Sequence, residues 1–169
     1  MDSITYIQAL LNGIQRTFDG TLDSLSHEEL KWQPGPEANS IGFILWHQTR
    51  AEDSMVNGML RQQPEVWTSD NWYKKMNLPE EGSGWGYTPE QIAAFPVPKL
   101  EDSLDYAKAV RAKTIEYLNS ITPEKLDEKI HTPFGELAIG QVLAMLTGEI
   151  AQHTGHMAFV RGLKRGINK

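Results

Sequence analysis

Two histidines three residues apart, His153 and His156, stand in the run Glu149-Ile150-Ala151-Gln152-His153-Thr154-Gly155-His156. At ~100° per residue in a helix the two side chains point about 60° apart on neighbouring turns, so both imidazoles can face one point. An i, i+3 pair projecting inward from one helix is a recurrent way for bundle proteins to hold a metal ion. Glu149 lies one turn earlier and between the two in azimuth. A carboxylate there serves as a further ligand, as an acceptor for an imidazole N–H, or as a general base. Taken alone, the pair reads first as two polar, partly exposed histidines. His47 changes that balance. It falls mid-helix in Gly42-Phe43-Ile44-Leu45-Trp46-His47-Gln48, one turn past apolar Phe43 and Ile44. A buried imidazole needs partners for both nitrogens, and an apolar core supplies few. Three neutral imidazoles converging from two helices meet that need by binding one divalent cation. The expected ligand set is His47, His153 and His156, with Glu149 beside it as the candidate catalytic residue. His27, in a polar helix start, and His131, in a turn, read as surface residues.

The elements that must position these side chains are helical. Ile4, Ile7, Leu11, Ile14, Phe18, Leu22 and Leu25 recur every three or four residues, as on one buried helix face. Ser26 with Glu29 reads as a capping box for a short helix stopped by Pro34 and Pro36. Ser40 is the expected N-cap of a second long helix running to about Arg61 and carrying His47. A third runs from about Leu100 to Ile121, and a fourth from Ile139 to about Arg165, carrying His153 and His156. Thr122-Pro123 starts a short helix, and Thr132-Pro133-Phe134-Gly135 is turn chemistry with room for a small extended piece. No stretch shows a strand ladder. The expectation is an all-α chain, a single four-helix-bundle domain over residues 1–169, with one long crossover between the second and third long helices.

That crossover, Gln62 to Lys99, holds five of the nine prolines and three of the five tryptophans, Trp67, Trp72 and Trp85. A connection this long is usually functional or disordered, and its aromatics argue against disorder. It reads as a packed cover over the bundle, with a wall or lid over a pocket as the sharper alternative. Gly82-Ser83-Gly84-Trp85-Gly86 is not a phosphate cradle, because no strand precedes it and no Lys-Ser/Thr pair follows.

Glu52 lies ~140° around its helix from His47 and reads as a solvated or helix-pairing charge rather than a base. Trp46 reads as core packing. Arg161, Lys164, Arg165 and Lys169 complement a helix C-terminus. The chain has 169 residues, 40% hydrophobic, and no cysteine, which excludes a disulfide framework, a zinc–cysteine site and a cysteine nucleophile. Sixteen Lys and Arg against 22 Asp and Glu give a net charge of −6, the wrong sign for a general nucleic-acid binder. With no apolar run near the ~20 residues of a membrane span and no signal peptide, a cytoplasmic protein without a membrane partner is expected.

At these residues the sequence resembles the DinB/YfiT-like metalloenzyme family, in the branch whose last helix reads His-x-Gly-His followed by Arg-Gly. Here that element is His153-Thr154-Gly155-His156 with Arg161-Gly162, joined by Trp46-His47 after Ser40-Ile41-Gly42, Glu52-Asp53, Gly84-Trp85-Gly86-Tyr87-Thr88 and the helix from Tyr106 to Leu118. The resemblance implies a four-helix bundle with one divalent metal, zinc or nickel, on His47, His153 and His156. It implies frequent homodimers and, in some relatives, a low-molecular-weight thiol as co-substrate for transferase or isomerase chemistry. Many relatives space the last two histidines four apart; this chain spaces them three apart.

Three neutral ligands leave the cation's charge undiminished and one tetrahedral position open, so a bound water or thiol loses its proton near neutral pH. With no cysteine in the chain, a thiolate must come from a co-substrate. The expected function is activation of an external nucleophile against a small organic electrophile, with thiol transfer ahead of hydrolysis. A non-catalytic metal- or ligand-binding protein is the alternative, with Glu149 closing the coordination sphere. Gly148, Gly155 and Gly162, seven residues apart, form a near-axial stripe that allows close approach of a second subunit or of the first helix.

Overall fold

Asp2, Ser26, Ser40 and Thr88 each place a side-chain oxygen on a backbone N–H three residues ahead, satisfying donors that a helix start leaves orphaned. In the computed structural model, which describes residues 1–166, these caps open α1 (Ser3–Leu22), α2 (His27–Lys31), α3 (Ile41–Asp53) and α6 (Pro89–Ala93). The crossover also contains α4 (Val66–Ser69) and α5 (Trp72–Met76). Then follow α7 (Leu100–Ser120), a 3-10 turn (Pro123–Asp127), strands β1 (Lys129–Thr132) and β2 (Gly135–Ala138), and α8 (Ile139–Arg165).

The chain is mostly helical, but the expectation of no strand pairing needs correcting. β1 and β2 form an antiparallel hairpin, Lys129 opposite Ala138 and Thr132 opposite Gly135. Its turn is held by Thr132, whose hydroxyl accepts from Phe134 N and donates to Gly135 O. Strands of four residues are too short to carry a readable alternation, and among the described residues each is paired only with the other.

α3 lies among the other long helices. Ile41, Ile44 and Leu45 pack with Phe18 and Leu22 of α1 and Met157 and Val160 of α8. On its other side Phe43 and Trp46 meet Trp67, Met76 and Leu78 of the crossover and Tyr106 and Val110 of α7. Every residue from Ile41 to Arg50 is therefore buried, and the helix shows no solvent face. A further cluster joins Ile4 and Leu11 of α1 to Leu143, Leu146 and Ile150 of α8. Trp46 and Trp67 are core residues, as is the inner face of Trp72.

The charged side chains buried on α3 are partnered, whereas the Trp46 indole nitrogen has no hydrogen-bond partner among the described residues. Asp53, with no exposure, accepts from Asn57 Nδ2, Val66 N, Trp67 N and the Tyr106 hydroxyl. One carboxylate thus ties α3, the start of the crossover and α7 together. Burial, with Asp53 alongside, pushes the Tyr106 hydroxyl well above its ordinary pKa and keeps it a donor. Glu52 accepts two bonds from Arg111, at 2.7 and 2.9 Å, and one from Thr114, so it is a helix-pairing charge between α3 and α7. Arg50 donates to Glu65 and to the Gly82 carbonyl, holding the far end of the crossover against α3.

Beyond Asp53 the same helix widens into a π-helical turn, Ser54–Leu60, with Arg61 N bonding to Val56 O five residues back. A four-residue step overshoots a full α turn by ~40° but falls short of a wider π turn. His47, Ala51, Met55 and Met59, each four apart, consequently border the same cavity.

At the C-terminal end, Arg161 donates to Gly20 O, and Arg165 to Glu29 and Ser24 O, so these two bases join α8 to the α1–α2 corner. Lys169 lies outside the described residues. A Cβ added at Gly148, Gly155 or Gly162 would meet nothing within 4 Å, so the stripe makes no close approach to α1. No helix among the described residues is long and apolar enough to cross a membrane.

Candidate metal centre

His47 reaches the site from α3, and Glu149 and His153 reach it from α8. The buried seam of α8 is Ile150, Thr154 and Met157. In an ideal helix His153 stands ~60° from Ile150, Glu149 ~100° and His156 ~120°, so these side chains fan outward from the seam along one edge. The two nearest the seam meet His47. One ligand atom from each of His47, Glu149 and His153 falls in a group whose members all lie within 4.8 Å of one another. His153 Nε2 is 2.9 Å from Glu149 Oε1, and His47 Nε2 is 3.5 Å from the same oxygen. The imidazole rings are edge-on at 4.9 Å between centroids.

His156 stands apart from this group. It is exposed, its ring centroid is 5.5 Å from that of His153, and it borders a different cavity with Pro34, Ile44 and Leu163. Glu149, expected beside the metal, instead lies among the converging ligand atoms; it and His153 are the pair four residues apart. His27 and His131 are both exposed.

The donor set fits a divalent cation. The His47 Nδ1–H donates to the Ser83 carbonyl at 2.6 Å, which leaves Nε2 as the lone-pair nitrogen of the neutral ring. That lone pair faces a carboxylate oxygen 3.5 Å away. Two acceptors set against each other need a cation or a proton between them. Burial, with His47 and His156 nearby, holds the His153 pKa below its usual value even against the carboxylate of Glu149. His153 therefore favours the neutral form that a metal requires. Its Nδ1 is buried without a hydrogen-bond partner among the described residues. Two imidazoles and one carboxylate are a set used by catalytic zinc sites, which keep a further position open.

Ser83 was not legible as a site residue, because its contribution is a backbone carbonyl. The signal that could have found it is the alternation of glycines around it. Gly82, Gly84 and Gly86 have φ of +89°, +88° and +72°. A Cβ on Gly84 would lie 2.9 Å from Phe43 Cζ, 3.1 Å from Trp46 Cζ3 and 3.2 Å from His47 Nδ1. Glycine at 84 thus lets the loop backbone lie against the imidazole. His47 is also stacked parallel to Phe43, 6.2 Å away.

The centre opens into a cavity of about 470 Å³ bordered by Met55 and Met59 from the π turn, Met145 and Gln152 from α8, Trp85 from the glycine loop and Phe134 from the hairpin turn. Of the three crossover tryptophans, only Trp85 borders it. Glu149 is the one carboxylate, and no Lys or Arg is present, among the described residues of its lining.

The family model of the DinB superfamily matches residues 10–157. Among solved structures, the chain is similar to a conserved protein from Enterococcus faecalis, at 26% identity and a TM-score of 0.84, over 96% of this chain and 97% of that one. No curated protein matches the sequence.

Proposed function

The chain belongs to the DinB superfamily, and we propose that it is a metal-dependent enzyme of four-helix-bundle architecture that activates an external nucleophile. The ion we assign is zinc or nickel, since imidazole suits both, held by His47, Glu149 and His153. When bound, the ion supplies a positive charge that lowers the pKa of a thiol or water in its open position. Ser83 fixes the His47 tautomer through its carbonyl, and Phe43 restrains the ring plane.

The reaction class we assign is transfer of a small thiol to a small organic electrophile. The observation that supports it is the position of Glu149, whose Oε1 lies 2.9 Å and 3.5 Å from the two imidazole nitrogens. A carboxylate engaged as a ligand is not free to take a proton from water, and no second carboxylate is present among the described lining residues. A thiol bound to the ion needs no such base. The competing ligand set is His47, His153 and His156, favoured by the 5.5 Å separation of the last two rings. In that set Glu149 becomes the base and hydrolysis becomes the reaction.

One experiment separates them. Zinc- or nickel-loaded protein is screened against 1-chloro-2,4-dinitrobenzene and activated esters, with and without small thiols. Turnover that requires a thiol supports transfer. Turnover without thiol that vanishes in Glu149→Gln overturns it in favour of hydrolysis, and metal retained in Glu149→Gln but lost in His156→Ala selects the three-histidine set. Absence of turnover in both arms, with no open position on the ion, favours a binding protein. The open glycine stripe of α8, with Phe159 and Leu163 exposed nearby, supports a homodimer, which light scattering at micromolar concentration would detect.

A further inference from the structure

Large apolar side chains left in solvent are individually ordinary, but a group of them around one cavity marks a binding site. Trp85, Phe134 and Met145 are 80%, 63% and 39% exposed, and all three border the cavity that leads to His47 and Glu149. Met55 and Met59 border it from α3's π-helical extension, so three of the chain's six methionines meet at this one place. Flexible thioethers adapt to irregular apolar shapes and pack well against aromatic rings.

The rim is built on fixed backbone. The loop bearing Trp85 is anchored by the Ser83 carbonyl on His47 and the Gly82 carbonyl on Arg50. The turn bearing Phe134 is anchored on both sides by the Thr132 hydroxyl. Neither ring is buried by the described residues. About 470 Å³ is the volume of a small-molecule site rather than a polymer groove. With no Lys or Arg among the described lining residues, a carboxylate or phosphate on the ligand would find no cationic partner there, and in the metal-free protein it would face Glu149.

We propose that this cavity is the substrate subsite for an uncharged, largely apolar small molecule bearing an aromatic or comparable hydrophobic group, which packs against Trp85, Phe134 and the three methionines. The proposal rests on the metal reading only for the direction of the ligand's reactive end.

The test is an NMR titration of 15N-labelled protein, following the Trp85 indole N–H signal, assigned with Trp85→Phe. Three probes are compared: 2-naphthylmethanethiol, 2-naphthylmethanol and the 6-carboxylate of the thiol. Metal-free protein should bind the two neutral probes alike and the carboxylate at least about tenfold more weakly. Trp85→Ala and Phe134→Ala should each weaken the neutral probes several-fold, up to about tenfold. Equal or tighter binding of the carboxylate, absence of saturable binding to metal-free protein, or undiminished binding in both variants would overturn the subsite. Zinc should then tighten the thiol and not the alcohol. Failure of that step alone removes the metal reading and leaves the subsite standing.

Discussion

Replacing Gly84 with alanine puts the contact between the crossover and the candidate metal centre under direct strain. At φ +88° a side chain sits in a region that L residues occupy at a cost of about 1–2 kcal/mol. The new Cβ would also stand 2.9 Å from Phe43 Cζ and 3.2 Å from His47 Nδ1, and both rings are buried. Overpacking of that kind adds about 1–3 kcal/mol while the loop stays docked. The cheaper response is for the loop to lift, which breaks the 2.6 Å bond from His47 Nδ1 to Ser83 O. Losing an outer-sphere partner of a metal-ligating histidine typically lowers metal affinity ~10- to 100-fold, about 1.4–2.7 kcal/mol. Gly86→Ala is the control. Its φ of +72° imposes comparable backbone strain, but its Cβ meets nothing within 4 Å. Zinc affinity is measured by competition with a chromophoric chelator, and stability by thermal unfolding of the metal-free proteins. Gly86→Ala should lower Tm by roughly 2–8 °C and leave zinc affinity unchanged. Gly84→Ala should lower both. Wild-type zinc affinity in Gly84→Ala refutes the reasoning, and so does an equal loss in Gly86→Ala, which would locate the effect in loop strain rather than at His47.

His47→Ala, His153→Ala and Glu149→Gln should each sharply reduce bound metal, measured by mass spectrometry of the purified protein, with helicity by circular dichroism retained; His27→Ala and His131→Ala should bind metal as wild type. Glu52→Ala strands the Arg111 guanidinium beside a partly buried cavity and should destabilise the protein by about 3–5 kcal/mol in urea unfolding, with metal content unchanged. The hydrogen bonds from Arg165 and Ser26 hold the Glu29 carboxyl far below the usual carboxylate range. A depressed carboxyl binds fewer protons folded than unfolded, so its stabilisation is full above about pH 4.5 and is lost as pH falls below that value. Arg165→Ala should therefore lower Tm most in the neutral region and least at acid pH, so that the acid limb of a Tm-against-pH profile flattens.

Much of the helical framework is written locally. The caps at Ser26, Ser40 and Thr88 and the Pro123 start depend on residues within four positions, so they are legible without the fold. The periodic apolar faces of α1, α7 and α8 follow from the same short-range geometry. His47 and His153 stand out in the sequence, His47 because an imidazole in an apolar stretch poses a hydrogen-bonding problem wherever that stretch ends up, and His153 because of its spacing from His156; in the structure the two lie together with Glu149. Tertiary structure decided which histidines meet. Residues 149, 153 and 156 share one edge of α8, but the rotation of that helix is set by Ile150, Thr154 and Met157 docking on its neighbours. That rotation turns Glu149 and His153 toward His47 and leaves His156 in solvent. The pairing of Glu52 with Arg111, 59 residues away, depends equally on the docking of α3 and α7. Met55 and Met59 reach the cavity because the helix widens after Asp53, where the carboxylate is committed to the crossover. The last group to complete the centre, the Ser83 carbonyl, belongs to a backbone atom that every residue type carries. Its role arises only where three-dimensional packing presses a glycine loop onto an imidazole 36 residues earlier in the chain.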